Sequence, residues 1–253
     1  MSARRELKVF ALYIVLIAAA ETVTSFYDPG YGLFFHSVLL VSLLTLSSLW
    51  HRANPASSLF LSLALAPLIR ILSLSLPLIY FPRYAWYLVA GVPVLAATVT
   101  VMRVEGLGLS DVGITFRKPL AQAGTALTGV PFGVIEYFIL KPEPLATNLP
   151  PRDLILLAVA LIFSTGFVEE LVFRGVLQGR AVKTLGEKAG VIGVTAVFAA
   201  LHIGWLSVLD VIFVFAIGLF FGFITLKTGS IIGVSLSHGI TNVLLFLAMP
   251  SLP

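Results

Sequence analysis

Cysteine is absent from this 253-residue chain, and charge is scarce, with Asp, Glu, Lys and Arg making up 11% of residues. The first absence excludes disulfides, thiolate metal sites and a cysteine nucleophile. The second excludes an ordinary soluble domain, in which about a quarter of residues are charged. Repeats of fixed period are missing, and no polar loop is long enough to form a soluble domain. What the chain has in their place is apolar sequence: 58% of residues are hydrophobic, and mean hydropathy is +1.04. It reads as a polytopic membrane protein. The formal charge of +4 does not point to nucleic acid, because the basic residues stand singly or in pairs between apolar runs.

A bilayer span takes roughly 20 apolar residues at 1.5 Å each. Nine runs qualify: 9–26, 32–49, 56–76, 86–102, 120–140, 154–173, 191–206, 209–226 and 231–249. The expected fold is therefore all-α, with eight or nine transmembrane helices. Asp28-Pro29-Gly30, Asn54-Pro55, Phe81-Pro82-Arg83, Pro142-Glu143-Pro144 and Pro150-Pro151-Arg152 supply turn or helix-start chemistry between spans. The basic start, Arg4-Arg5 to Lys8, ahead of an apolar run has the form of a signal peptide, with Ala18–Ala20 as a cleavage site. The run continues to Phe26 and further spans follow, so it is read as a retained first helix.

Nine spans with the N-terminus inside put Arg4, Arg5, Lys8, Arg52, Arg103, Arg117, Lys118, Arg180, Lys183, Lys188 and Lys227 on the inner face. Arg83, Lys141 and Arg152 fall on the outer face. This bias predicts a multi-pass protein of the cell membrane with a cytoplasmic N-terminus. Arg70, Glu21, His36, Glu136 and Asp210 are further charged or titratable groups within spans. Arg70 is expected to pair with Glu21 or Glu136 or to snorkel, and the other four to lie near outer ends with solvent at hand. Gly218-x-x-x-Gly222 is a close-packing face. The polar stretch 103–119 suggests no chemistry, and 176–189 reads as a helix end leaving the membrane.

The unusual stretch is Gly166-Phe167-Val168-Glu169-Glu170-Leu171-Val172-Phe173-Arg174-Gly175. An ionised side chain at membrane depth costs a few kcal/mol or more, so such a cluster needs partners, a cavity or a task. Neighbouring helical residues point about 100° apart, so the two carboxylates are not expected to share one job. Glu170 and Arg174 stand at i,i+4 in the favourable order, which leaves Glu169 facing elsewhere. A carboxylate withdrawn from water is a better base near neutral pH. An ion pair at a helix end explains Glu170 equally well, but not Glu169.

Two later spans carry Phe198 with His202, about 16 Å into its helix, and His238 with Asn242 one turn apart. Each alone could be a packing residue. Together with Glu169 they describe a polar cavity on three spans, expected to be reached from the cytoplasmic half, able to deprotonate a water and hold an oxyanion. A zinc site built from Glu169, His202 and His238 stays open, although no His-Glu-x-x-His helix is present. Gly-x-Ser-x-Gly is also missing, which argues against a serine nucleophile.

In this order, Glu169-Glu170-x-x-x-Arg174, Phe198-x-x-x-His202 and His238-x-x-x-Asn242 resemble the motifs of the CAAX-protease and bacteriocin-processing (Abi) family of intramembrane proteases. That family includes the Ras-converting endopeptidases. The resemblance implies a protease-like core over 119–253, with 1–118 as N-terminal helices that serve as scaffold or substrate guide. It implies that Glu169, helped by His202, activates a water without a metal cofactor, while His238 and Asn242 hold the oxyanion. Glu170 and Arg174 would be supports, and Phe198 a packing or pocket residue. The implied partner is a membrane-associated protein or peptide, prenylated in some relatives, cut at a site facing the cytoplasm. A non-proteolytic immunity or accessory protein using the same cavity is the alternative. A transporter would show paired interrupted spans, and none is seen.

Overall fold

The computed structural model describes residues 3–50, 54–81, 85–146 and 149–251. Among them every regular element is helical, and nine segments are long and apolar enough to cross a membrane. They are α1 (Arg4–Phe26), α2 (Pro29–Leu49), α3 (Pro55–Ser75), α4 (Trp86–Val104), α5 (Pro119–Leu140), α6 (Pro151–Leu185), α7 (Glu187–Trp205), α8 (Val208–Thr228) and α9 (Ile232–Ser251). The protein is an all-α polytopic membrane protein. Arg52, Arg83 and Tyr84 lie outside the described residues.

Short polar side chains and prolines set the helix starts. Asp28 accepts from the Gly30 and Tyr31 amides, Asn54 from Ala56, and Ser207 from Asp210. Each satisfies amides that the first turn cannot pair internally. Proline opens α2, α3, α5 and α6, where its missing N–H costs nothing. Leu12, Val15, Phe34, Val41, Leu156 and Ile212 are exposed on the outside of the bundle, as lipid-facing residues must be.

Some expectations change. The third and fifth spans are each interrupted, at Ala64 and Thr128. The segment 176–189 does not leave the bundle: α6 runs on to Leu185, turns at Gly186 (φ 85°), and α7 begins at once with Glu187. The stretch after α4 is a structural plug. Ile231 N donates to Gly113 O at 2.9 Å, Ser230 Oγ donates to Thr115 O at 2.6 Å, and Lys118 Nζ donates to Lys227 O. Gly218 and Gly222 pack internally against Thr195, Arg174, Val191 and Gln178.

Successive spans alternate in direction, which gives the bundle two ends. One holds the start of α1, the plug, the Gly186 turn and the α8–α9 turn, together with most of the basic residues. The other holds the α3–α4, α5–α6 and α7–α8 connections. There the Leu145 amide donates to Phe246 O at 3.0 Å, and Trp205 stacks on Phe246 at 5.6 Å. Glu21, His36, Glu136 and Asp210, expected near solvent, are all buried.

Candidate active site

The two glutamates sit on a single α-helical turn, Val168–Glu170, between two π-helical segments, Ile162–Phe167 and Leu171–Leu177. π-segments widen the helix and are frequent at functional sites. What brings α9 against this point is the absence of side chains. A Cβ on Gly166 would stand 2.6 Å from the Ser235 carbonyl oxygen, and one on Gly239 2.7 Å from the Ile162 Cα. The two glycines let the backbones touch, and His238, next to Gly239, is thereby delivered to the glutamate turn.

Glu170 is fully buried and is the hub. Its Oε1 accepts from Arg174 Nη1 at 3.0 Å and from His238 Nδ1 at 2.9 Å. The i,i+4 pair is present as expected, but the bond to His238 on another span was not legible from spacing. The Arg174 guanidinium lies 4.4 Å from the centre of the Phe198 ring and 5.8 Å from that of Phe221. Cation–π attraction of about 0.5–2 kcal/mol thus helps hold it. Phe198 also packs edge-on against Phe173 and His238.

Glu169 is 32% exposed, and its Oε2 lies 4.0 Å from His238 Nε2. The two carboxylates thus stand by opposite nitrogens of one imidazole. An imidazole is wide enough for its two nitrogens to face both. An ionised Glu170 only accepts, so His238 Nδ1 carries the proton, and its Nε2 is the atom presented to Glu169. Glu170 orients His238 much as a carboxylate orients the base in hydrolytic triads.

His202 stands near the far end of α7, past the last α-helical residue Ala200. Its Nδ1 is 2.9 Å from the Phe198 carbonyl oxygen. A carbonyl can only accept, so Nδ1 donates and Nε2 is left with its lone pair. Asn242 Nδ2 donates to Thr165 Oγ1 at 2.8 Å, and Thr165 Oγ1 donates to Leu161 O at 2.6 Å. Thr165 was missed by sequence reasoning; its position four residues before Glu169 is the one signal that could have found it. Among the described residues, no group of three His, Cys, Asp or Glu side chains is arranged to hold a metal ion.

Glu169 and His202 both line a cavity of about 580 Å³, together with Arg70, Trp86, Val168 and Phe198. An adjoining pocket of about 110 Å³ contains Glu169 and His202 again, with His238 and Asn242. Residues from both sides of position 118 therefore line the site. Leu78, Trp86, Pro142, Glu143, Leu145 and Trp205 also line the larger cavity. These belong to the three connections at the end opposite the start of α1. The site was expected to be reached from the N-terminal, cytoplasmic half, whereas these lining connections lie at the other end of the bundle.

No curated protein and no solved structure matches this chain. Residues 151–244, which run from the start of α6 into α9 and hold all three motifs, match the family model of the Rce1-like type II CAAX prenyl endopeptidases, so this part of the chain is similar to the family its motifs resemble.

Proposed function

We propose that the protein is an intramembrane endopeptidase that hydrolyses a peptide bond in a membrane-associated protein or peptide of CAAX type or related. The family match supports a membrane protease in general. The observation that carries the finer reading is that Glu169 and His202 line the same large cavity and, with His238 and Asn242, the smaller pocket as well.

In this reading Glu169, with His202 Nε2 as a second acceptor, takes a proton from a water in the cavity. The water oxygen attacks the scissile carbonyl carbon. The resulting oxyanion is met by His238 Nε2 in its protonated form and by the second Asn242 N–H, the first being held by Thr165. As the intermediate collapses, the C–N bond breaks and the proton held at Glu169 passes to the leaving amine. No step in this scheme uses a metal ion.

Orientation follows from combining the basic face with the cavity. If the positive end lies in the cytoplasm of a cell-membrane protein, the mouth opens on the opposite face. The expectation of a cytoplasmic site is then replaced by a non-cytoplasmic one. The chain has no cysteine, so Lys141→Cys and Lys188→Cys can be labelled singly with an impermeant maleimide in intact cells. Labelling at 141 and not at 188 is expected; the reverse pattern overturns the orientation.

The hydrolytic reading is tested with purified protein and a quenched peptide library, with and without chelator. Glu169→Gln and His202→Ala should each lose at least about 100-fold in rate, the usual contribution of a positioned base. Activity should persist in chelator. Full activity in Glu169→Gln, with the protein folded, sinks this reading.

A further inference from the structure

Glu136 and Asp210 are two buried carboxyl groups that the mechanism above does not use. Glu136 lies on α5, outside residues 151–244. It reaches the site by the same device that delivers His238. Beyond Thr128, the buried residues of α5 are Gly129, Gly133 and Glu136. A Cβ on Gly129 would collide with the Ser237 carbonyl oxygen, and one on Gly133 would stand 2.8 Å from that of Thr241. The glycines therefore lay α5 directly on α9. Glu136, about one turn past Gly133, comes to line the pocket of about 110 Å³ with Glu169, His202, His238 and Asn242.

Glu136 is 7% exposed and makes no hydrogen bond or ion pair with a described residue. Asp210 is fully buried, and neither of its carboxyl oxygens has a hydrogen-bond partner among the described residues. Asp210 and His238 are both near enough for their charge to act on Glu136. The cations at hand are already matched, since Arg174 and a protonated His238 face Glu170 and Glu169. An unmatched carboxylate at membrane depth is costly, whereas a neutral acid is far less so. Asp210 stands in the first turn of α8, where the helix N-terminus favours negative charge. Glu136, near the C-terminal end of α5, has no such support. Of the two, Glu136 is the one placed to keep a proton, and a neutral carboxyl has an O–H to donate.

We propose that Glu136, as the neutral acid, donates a hydrogen bond to the scissile carbonyl oxygen as it becomes the oxyanion, a third donor beside His238 and Asn242. A buried acid kept neutral can serve an oxyanion in this way. A pocket of this volume holds only a few waters, so a carbonyl oxygen held there by His238 and Asn242 is in reach of Glu136. The O–H proton stays on Glu136 throughout, and no bond to it breaks. The role in a reaction rests on the hydrolytic reading; the proton on Glu136 does not.

The test uses full-length protein in three forms: wild type, Glu136→Gln and Glu136→Leu. The infrared difference between wild type and Glu136→Gln near neutral pH should show the loss of one protonated carboxylic acid carbonyl stretch. With the peptide library, Glu136→Leu should lower kcat about 100-fold, the usual loss for one oxyanion donor, with KM little changed. Glu136→Gln, whose amide N–H stands in for the acid O–H, should recover all but a few-fold of that loss. A peptide aldehyde has, as its hydrate, the tetrahedral carbon of the intermediate. It should bind about ten-fold more weakly to Glu136→Leu than to wild type, while the matching peptide alcohol should bind both alike.

An unchanged acid band in Glu136→Gln means an ionised Glu136 and overturns the proposal. A Leu variant as fast as wild type, or a Gln variant no faster than Leu, overturns it as well. Glu136→Gln is nearly isosteric, so if Glu136→Leu fails to fold the band and the Gln variant decide the matter, a 100-fold loss in the latter counting against the donor. Failure of wild-type protein to cut any peptide, with the acid band and the aldehyde preference intact, counts against the hydrolytic reading alone.

Discussion

Replacing Glu170 with alanine tests whether this residue is a surface helix pair or the hub of a buried network. A solvent-exposed i,i+4 pair contributes about 0.3–0.5 kcal/mol. Here the side chains of Glu170 and Arg174 are 0% and 1% exposed, and one carboxylate oxygen serves both Arg174 and His238. Removing the carboxylate leaves a buried guanidinium without its counter-ion, which costs about 3–5 kcal/mol. For a chain of this size each kcal/mol is about 2–4 °C in Tm. The expected loss is then roughly 6–20 °C, read by thermal unfolding in detergent. Glu170→Gln, which keeps an acceptor but loses the charge, should lose less stability yet still lower kcat, because a neutral amide no longer stabilises the protonated His238. Pairing Glu170→Ala with Arg174→Met should recover much of the Tm without recovering activity. A drop below about 3 °C for Glu170→Ala would refute the hub.

Three further outcomes follow from the same geometry. Thr165→Val removes the acceptor for Asn242 Nδ2; kcat in the peptide assay should fall about ten-fold with KM nearly unchanged, at a stability cost of about 1 kcal/mol. Gly239→Ala places a methyl against the Ile162 backbone, so it should destabilise by about 1–3 kcal/mol and lower activity by moving His238, whereas Gly124→Ala, with nothing near its Cβ, should do neither. Phe198→Leu removes the ring facing Arg174 at 4.4 Å and should cost about 1–2 kcal/mol in chemical unfolding; an unchanged midpoint would count against the cation–π contact.

The membrane class, the helical fold and the count of nine spans were legible because they depend on local quantities, namely apolar run length, scarcity of charge and turn residues. The i,i+4 relation of Glu170 to Arg174 was legible for the same reason, since helix periodicity alone sets it. The three motifs also marked the segment that matches the protease family. Spacing said that Glu169 and Glu170 point apart, and they do; it could not say that one imidazole is wide enough to face both.

What only the tertiary structure decided concerns contacts between spans. Gly166 and Gly239 set how closely α6 and α9 approach, and that approach binds His238 to Glu170. Asn242 meets Thr165, and Arg70 meets Glu21 and the chain beside His202, across as many as 131 residues of sequence. Which connections line the cavity with Glu169 and His202 was decided in the same way. A sequence determines by itself what is repeated every 3.6 residues or paid for in hydration; which helix faces which is settled by packing, where a missing Cβ on one span and a buried charge on another must fit together.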